Sequence, residues 1–261
     1  MLYYFLIKNL IDITYNVVMI SDENIKTLQA LIDKAKNIVF FGGAGVSTES
    51  GIKDFRSKDG LYALKSKYGA PYEVMLSHSY FEYNTDTFFK FYREFMINKE
   101  AKPNAAHIYL AKLEAKKNLT IITQNIDGLH QMAGSKNVIE LHGSIHRNYC
   151  QKCMRLYNLE DIEKMENVPT CPHCGGLIKP DVVLYEEPLN EQVITKAIIK
   201  MQEADLLIVA GTSLRVYPAA SFLSYFFGNN IVVINKESVP INRKISLEIN
   251  DAVGEVFSKL K

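Results

Sequence analysis

Two CxxC pairs, Cys150-Gln-Lys-Cys153 and Cys171-Pro-His-Cys174, stand 17 residues apart in this chain. That spacing is the pattern of a four-thiolate zinc site: each pair forms a tight knuckle, and four sulfurs complete a tetrahedron. Because the protein fills every coordination position, such a zinc is structural. Disulfides are the alternative reading, and they rarely persist in a reducing cytosol. His173 reads as an exposed spacer inside the second knuckle. A second group follows the apolar run Asn37-Ile-Val-Phe-Phe41, where Gly42, Gly43 and Gly45 fall within four residues. Glycine permits positive φ and close backbone approach, and N–H groups at a following helix start attract an anion. The stretch suits a dinucleotide pyrophosphate, with an ordinary tight strand–helix turn as the plainer alternative. Thr48 stands where the third glycine of G-x-G-x-x-G belongs, and no β-run ending in an acidic residue follows at the expected distance, which disfavours hydride transfer. Asn125 and Asp127 place polar side chains beside a predicted strand end, where α/β ligand sites collect, although a cap-and-turn also accounts for Asp127.

The elements that must position these groups follow from the apolar pattern. Continuous apolar runs at 37–41, 119–124, 204–211 and 230–235 suit strands buried on both faces. Helical stretches are predicted over 23–36, with Ser21 as cap, and over 104–116, 190–203 and 217–227. Strand and helix alternate, which predicts an α/β fold with a parallel, Rossmann-like sheet. Two stretches break the alternation. Residues 58–100 are rich in aromatics without β-runs and read as a helical insertion; residues 146–179 carry every cysteine and read as a zinc-ribbon module. The expected division is a Rossmann-like nucleotide-binding domain from 21–57, 101–145 and 180–261, and a smaller domain made of the insertion and the zinc module.

The chain has 261 residues, 48% hydrophobic, with a formal net charge of +1. That balance gives no electrostatic reason to expect nucleic acid or an anionic membrane as partner. Residues 1–20 are apolar but interrupted by Lys8 and Asp12, with no small-residue cleavage site after them. They fit neither a signal peptide nor a membrane span. They read as an N-terminal extension: an extra packed element, or a prelude to a true start at Met19. A cytoplasmic protein is the default expectation, and the sequence leaves the oligomeric state open.

Taken together, GAGVSTESGIKDFRS (43–57), TQNIDGLH (123–130), ELHGS (140–144), the cysteine quartet and GTSLRVYPAA (211–220) resemble the sirtuins, NAD-dependent protein-lysine deacylases of bacterial type. Asn235 and the late DAVGEVF (251–257) also fit, so the resemblance runs from about residue 21 to the end. It implies NAD in a cleft between the two domains, with acyl-lysine entering from the other side. It implies His142 as general base, a role suited to a side chain whose pKa lies near operating pH. Asn125 would serve the reacting ribose, Asp127 the nicotinamide carboxamide and Gln124 a ribose hydroxyl, with Ile126 and Ile52 lining the nicotinamide pocket. Gly43, Ala44, Gly45 and Thr48 would form the phosphate turn. Asp54, Phe55 and Arg56 belong to a loop that covers the nicotinamide end, Phe55 screening the reactive carbon from water and Arg56 lying near the diphosphate. Gly211, Thr212 and Ser213 would bind phosphate and ribose, Asn235 the adenine-side ribose, and Ala252 and Val253 the adenine edge. Substrate backbone would add as a strand between Val183–Glu187 and Leu214–Tyr217, with Val183, Tyr185, Glu187 and Val216 as contacts. The implied products are free lysine, nicotinamide and O-acyl-ADP-ribose; protein mono-ADP-ribosylation from the same site is the alternative.

Three positions depart from the family pattern. Lys53 stands where proline is usual, and Glu186 replaces the glycine of Phe-Gly-Glu. Sirtuins that prefer succinyl or malonyl groups carry Tyr-x-x-Arg in the helical insertion. Tyr92-Arg-Glu-Phe95 offers a phenyl ring where the guanidinium belongs, and Arg93 should face elsewhere on a helix. Neutral acyl groups, acetyl first, are therefore expected.

Overall fold

The computed structural model describes residues 21–55, 60–63, 67–215 and 219–261. The N-terminal extension and the choice of start at Met19 lie outside the described residues, as do Arg56 and Val216. Among the described residues no helix is long and apolar enough to cross a membrane.

Helix α1 (Asp22–Lys34) opens on Ser21, whose Oγ accepts from the Asn24 N–H at 3.1 Å. Its inward residues Leu28 and Ile32 are fully buried. The chain then enters β1 (Asn37–Gly42), and α5 (Ala105–Glu114) later leads into β2 (Asn118–Thr123). Helix α8 (Glu191–Glu203) precedes β7 (Leu206–Ala210), and β8 (Asn230–Ile234) follows. These four strands match the four apolar runs. Two short edge strands complete the sheet: β3 (Val138–Glu140) and β9 (Leu247–Ile249). The order is β3-β2-β1-β7-β8-β9, every pair parallel, a Rossmann-like sheet. One core lies on each face. Phe40, Leu110, Ile121, Ile208 and Val256 share the first, joined by the closing helix α9 (Val253–Ser258). Phe41, Ile122, Met201, Val209 and Val233 share the second.

The smaller elements form around a different sheet. β4 (Gly143–Cys150) pairs antiparallel with β5 (Leu156–Tyr157) and β6 (Ile178–Val182). Helix α6 (Leu129–Met132) joins β2 to β3, and α7 (Leu159–Glu163) packs on β4. The described part of 58–100 is helical, as its composition predicts: α2 (Tyr72–Met75), α3 (His78–Tyr83) and α4 (Thr85–Phe95). Helix α4 buries both flanks. Phe88, Phe89 and Tyr92 pack with Phe81, Val182 and Leu184, while Phe91 and Phe95 pack with Tyr72, Leu61 and Phe55. Tyr92 and Phe95 thus serve separate clusters. Arg93 donates to the carbonyls of Met165 and Asn167, and Lys99 pairs with Glu163 at 2.6 Å, so the helical stretch is stapled to the cysteine-bearing module.

Two local predictions need correcting. No α-helix follows the glycine turn; single 3-10 turns at Ala44–Val46 and Thr48–Ser50 do, closed by the Thr48 Oγ1 bond to Gly45 O at 3.0 Å. The stretch 217–227 is a 3-10 helix over Ala219–Tyr225 in its described part.

Candidate active site

Strand order reverses between β1 and β7, and parallel strands put all their carboxyl ends on one edge. That switch point is where open α/β sheets take ligands. The glycines meet there. Gly43 N–H donates to Ala210 O at 3.1 Å, and Gly45 N–H to Gly211 O at 2.8 Å. A Cβ on Gly45 would lie 2.7 Å from Gly211 Cα, and one on Gly211 would lie 2.4 Å from Val46 N. Positive φ is needed at Gly211 (59°) and not at Gly42, Gly43 or Gly45. Glycine at 43 and 45 is thus required because two backbone turns interlock: of the two reasons inferred from sequence, positive φ does not apply, and the close approach is to another turn of the chain.

Beside this interlock a polar cluster forms. Ser47 Oγ donates to Asp127 Oδ2 at 2.7 Å and lies 3.0 Å from Asn125 Nδ2, which donates to it. Asp127 Oδ1 accepts the Leu129 N–H at 2.9 Å, starting α6. Burial raises the Asp127 pKa; the Leu129 and Ser47 hydrogen bonds oppose that shift. Gln124 Nε2 donates to Thr212 Oγ1 at 3.0 Å, linking the ends of β2 and β7. Ser47 was not singled out in the sequence; its place between Gly45 and Gly51 in a polar turn was the available signal. Asn104 and Glu49 were missed as well. Asn104 Nδ2 donates to Val46 O at 2.7 Å, and Glu49 accepts the Gly254 N–H at 2.5 Å, which joins the turn to α9.

His142 lies half-buried between β3 and β4. Its Nδ1 is 2.9 Å from the Gln124 carbonyl, which can only accept, so Nδ1 carries the proton and Nε2 is left as the base. Burial lowers its pKa and the Gln124 bond opposes, so the ring is neutral at neutral pH.

The other predicted residues are placed as follows. Ile52 is half-buried, its N–H bonded to Ser47 O at 3.3 Å. Asp54 O and Phe55 O accept the N–H groups of Leu61 and Tyr62, and the Phe55 ring stands 5.5 Å from that of Tyr62. Ile126 packs toward the Phe81 cluster. Ser213 is half-buried beside Leu214. Asn235 donates from Nδ2 to Glu237 O at 2.6 Å. Ala252 caps α9, and Val253 is buried in the core.

At the expected peptide edge, Val183 N–H bonds His142 O at 3.0 Å, and Tyr185 pairs in parallel with Ser77. The segment does not run extended to Glu187, because the Glu187 N–H turns back to Leu184 O at 3.1 Å. The Glu187 carboxylate meets His78 Nδ1 at 2.8 Å and Lys179 Nζ at 3.1 Å. Its side chain is thus committed inside the protein. Glu186 keeps the glycine-type backbone, φ 75°. A side chain there costs about 1 kcal/mol, offset by bonds from Ser79 N at 2.9 Å and Ser79 Oγ at 2.5 Å.

The four cysteine sulfurs lie within 4.8 Å of one another. Cys150 and Cys174 are 3.4 Å apart, and Cys153 and Cys171 are 3.7 Å apart. Tetrahedral zinc with bonds of about 2.3 Å sets its sulfurs about 3.8 Å apart, so the quartet fits the ion. Tyr157 OH lies 3.0 Å from Cys171 Sγ, able to donate to a thiolate. His173 is exposed.

A model of the Sir2 family matches residues 43–218. The NAD-dependent protein deacetylase of Clostridium tetani is 58% identical over 234 residues, covering 89% of this chain and 95% of that protein. The one of Clostridium acetobutylicum is 54% identical over 237 residues, covering 90% and 97%. Among solved structures, a Sir2 with p53 peptide and NAD+ is 37% identical with a TM-score of 0.80, covering 90% of this chain and 96% of that one. A Sir2 bound to acetylated peptide is 36% identical, also at 0.80 and with the same coverage.

Proposed function

The chain belongs to the Sir2 family, the sirtuins, and from that premise we infer that the switch-point site removes acetyl groups from protein lysine at the expense of NAD. The protein is an NAD-dependent protein deacetylase, a transferase with a structural zinc. NAD, when bound, supplies the sugar carbon that accepts the acyl oxygen as nicotinamide departs. The relatives are named deacetylases, which disfavours protein mono-ADP-ribosylation. The donor set at the interlock fits the dinucleotide: converging amide, hydroxyl and carboxylate groups at the carboxyl ends of β1, β2 and β7.

The observation that carries the reading is the His142 bond to Gln124 O. It orients Nε2 as a neutral acceptor that can take a proton from a ribose hydroxyl. Asn125, held by Ser47, orients the ribose; Asp127 accepts from the carboxamide; Thr212 and Ser213 hold phosphate and ribose. The Phe55 segment excludes water from the reacting sugar. Gly43, Ala44, Gly45 and Thr48 shape the phosphate turn, and Asn235, Ala252 and Val253 the adenine end. Val183, Tyr185 and the backbone near Glu187 take the acyl-lysine peptide. Residues 58–100 and 146–179 act as the small domain against the Rossmann-like domain of 21–57, 101–145 and 180–261. The enzyme works in the cytoplasm on acyl-lysine proteins.

Mass spectrometry of products from NAD and an acetyl-lysine peptide tests the reading: O-acetyl-ADP-ribose and free lysine from wild type, neither from His142→Ala. NAD-derived label retained on protein without deacetylation would favour the mono-ADP-ribosyltransferase alternative. Arg93 is engaged with Met165 and Asn167, so nothing clamps an acyl carboxylate from that side chain. Succinyl-peptide turnover about tenfold above acetyl, roughly 1.4 kcal/mol of preference, would refute the neutral-acyl expectation.

A further inference from the structure

Two histidines that the mechanism does not use are buried side by side behind the nicotinamide end. His107 on α5 is 0% exposed and His130 on α6 is 1% exposed. Their ring centroids are 4.6 Å apart, tilted by 56°. Phe40 of β1 meets His130 edge-on at 5.9 Å.

His107 occupies an unusual place. Helix α5 starts with a capping box in which Asn104 is the cap and His107 the third helical residue. That third position ordinarily takes Glu or Gln, whose side chain reaches back to the cap N–H. Here the His107 Nδ1 receives the Asn104 N–H at 3.3 Å. A carboxylate at this depth would bury a charge beside another ring without a cationic partner. Glutamine could close the box, but it would not present a flat ring to His130. Burial pushes the His107 pKa down to about 4 and that of His130 to about 3, so both rings are neutral and do not repel.

The contacts from this pair run in two directions and meet. In one direction, Asn104 donates from Nδ2 to Val46 O at 2.7 Å and to Ser50 Oγ at 3.1 Å, which fixes the turn that carries Ser47. In the other, His130 sits in the single turn of α6, whose first N–H, on Leu129, is held by Asp127 Oδ1. Ser47 and Asp127 then join at 2.7 Å. The path Asp127, Ser47, Asn104, His107, His130, α6 and back to Asp127 is closed, and it claims both oxygens of the carboxylate.

We propose that His107 and His130 are positioning residues for the nicotinamide end: their buried ring contact closes a circuit that sets the separation of Ser47 and Asn125 from Asp127. The proposal rests on the deacetylase reading and adds to it the reason for imidazole at the cap. The circuit acts on the dinucleotide and not on the peptide, because none of its members lies on the 183–187 segment.

The variant H107Q separates this role from a purely structural one, since glutamine preserves the capping box and removes only the ring. The expected result is a rise of about fivefold or more in the KM for NAD and in the nicotinamide concentration for half-inhibition. The acetyl-peptide KM and the melting temperature should stay at wild-type values. A wild-type NAD KM in H107Q overturns the proposal, as does a parallel rise in both KM values with a lowered melting temperature. Where H107Q does not accumulate, H130L reads the same contact from the other side with the same expected split. Calorimetric titration of NAD into the zinc-loaded protein gives the affinity independently of turnover. A wild-type protein that binds NAD but releases no nicotinamide with acetyl-peptide would therefore sink the deacetylase reading, while the circuit would still be judged by the H107Q affinity.

Discussion

The cysteine quartet and the Ser47–Asn125–Asp127 cluster each bring polar groups within a few ångströms, by opposite routes. The quartet comes from two local knuckles on one small antiparallel sheet, with a core of little beyond Cys150, Tyr157, Ile162, Cys171 and Ile178. The cluster joins residues 80 and 78 positions apart in sequence, held by a six-stranded sheet with a core on each face. The first depends on an ion to hold its shape, since four converging thiolates repel without it. The second is built by packing and by hydrogen bonds among its own side chains and the turns that carry them.

The sharpest way to break that contrast is to remove the metal. Cys150→Ser, or chelation, should unfold the module around β4–β6 while the large sheet persists, because structural zinc contributes on the order of 10 kcal/mol to folding. Hydrogen exchange resolved by segment would show loss of protection in 146–179 alone; uniform loss would mean that the two regions are one cooperative unit. Next in size, His142→Ala should lower kcat about 10²- to 10⁴-fold with an unchanged melting temperature. A large drop in melting temperature would make His142 part of the scaffold. Gly211→Ala tests the interlock. With φ at 59° and a Cβ 2.4 Å from Val46 N, it should cost about 3 kcal/mol or more in urea unfolding.

Acid titration probes the scaffold more gently. His107 and His130 have folded pKa values depressed below the ordinary 6.5, to about 4 and about 3. Their contribution is complete above the unfolded pKa and is lost as pH falls from there toward the folded values. At pH 5.5 the loss is on the order of 1 kcal/mol for each, and H130L should flatten the slope of stability against pH. The lowered pKa of His142 sets the catalytic counterpart: the acid limb of kcat/KM should have its midpoint below pH 6.5.

The four central strands were legible as apolar runs because parallel strands covered on both sides must be apolar throughout. The edge strands were not. Val138-Ile-Glu140 and Leu247-Glu-Ile249 are three residues each, and their register comes from β2 and β8 rather than from their own pattern. Cysteine spacing announced the quartet because knuckle geometry is local. Ser47 and Asn104 could not be read that way, since what makes each matter is a partner dozens of residues distant. The glycines were found for an incomplete reason: sequence marks where a side chain is missing, and only the fold shows that another backbone turn fills the space.

One carboxylate-rich corner has a mechanical consequence. Glu186 clasps Ser79, and Glu187 clasps both His78 and Lys179. The stretch from Val183 to Glu187 is thereby latched to the start of α3 and to β6 together. It cannot swing as an isolated flap, because any displacement of it drags that helix and that strand along.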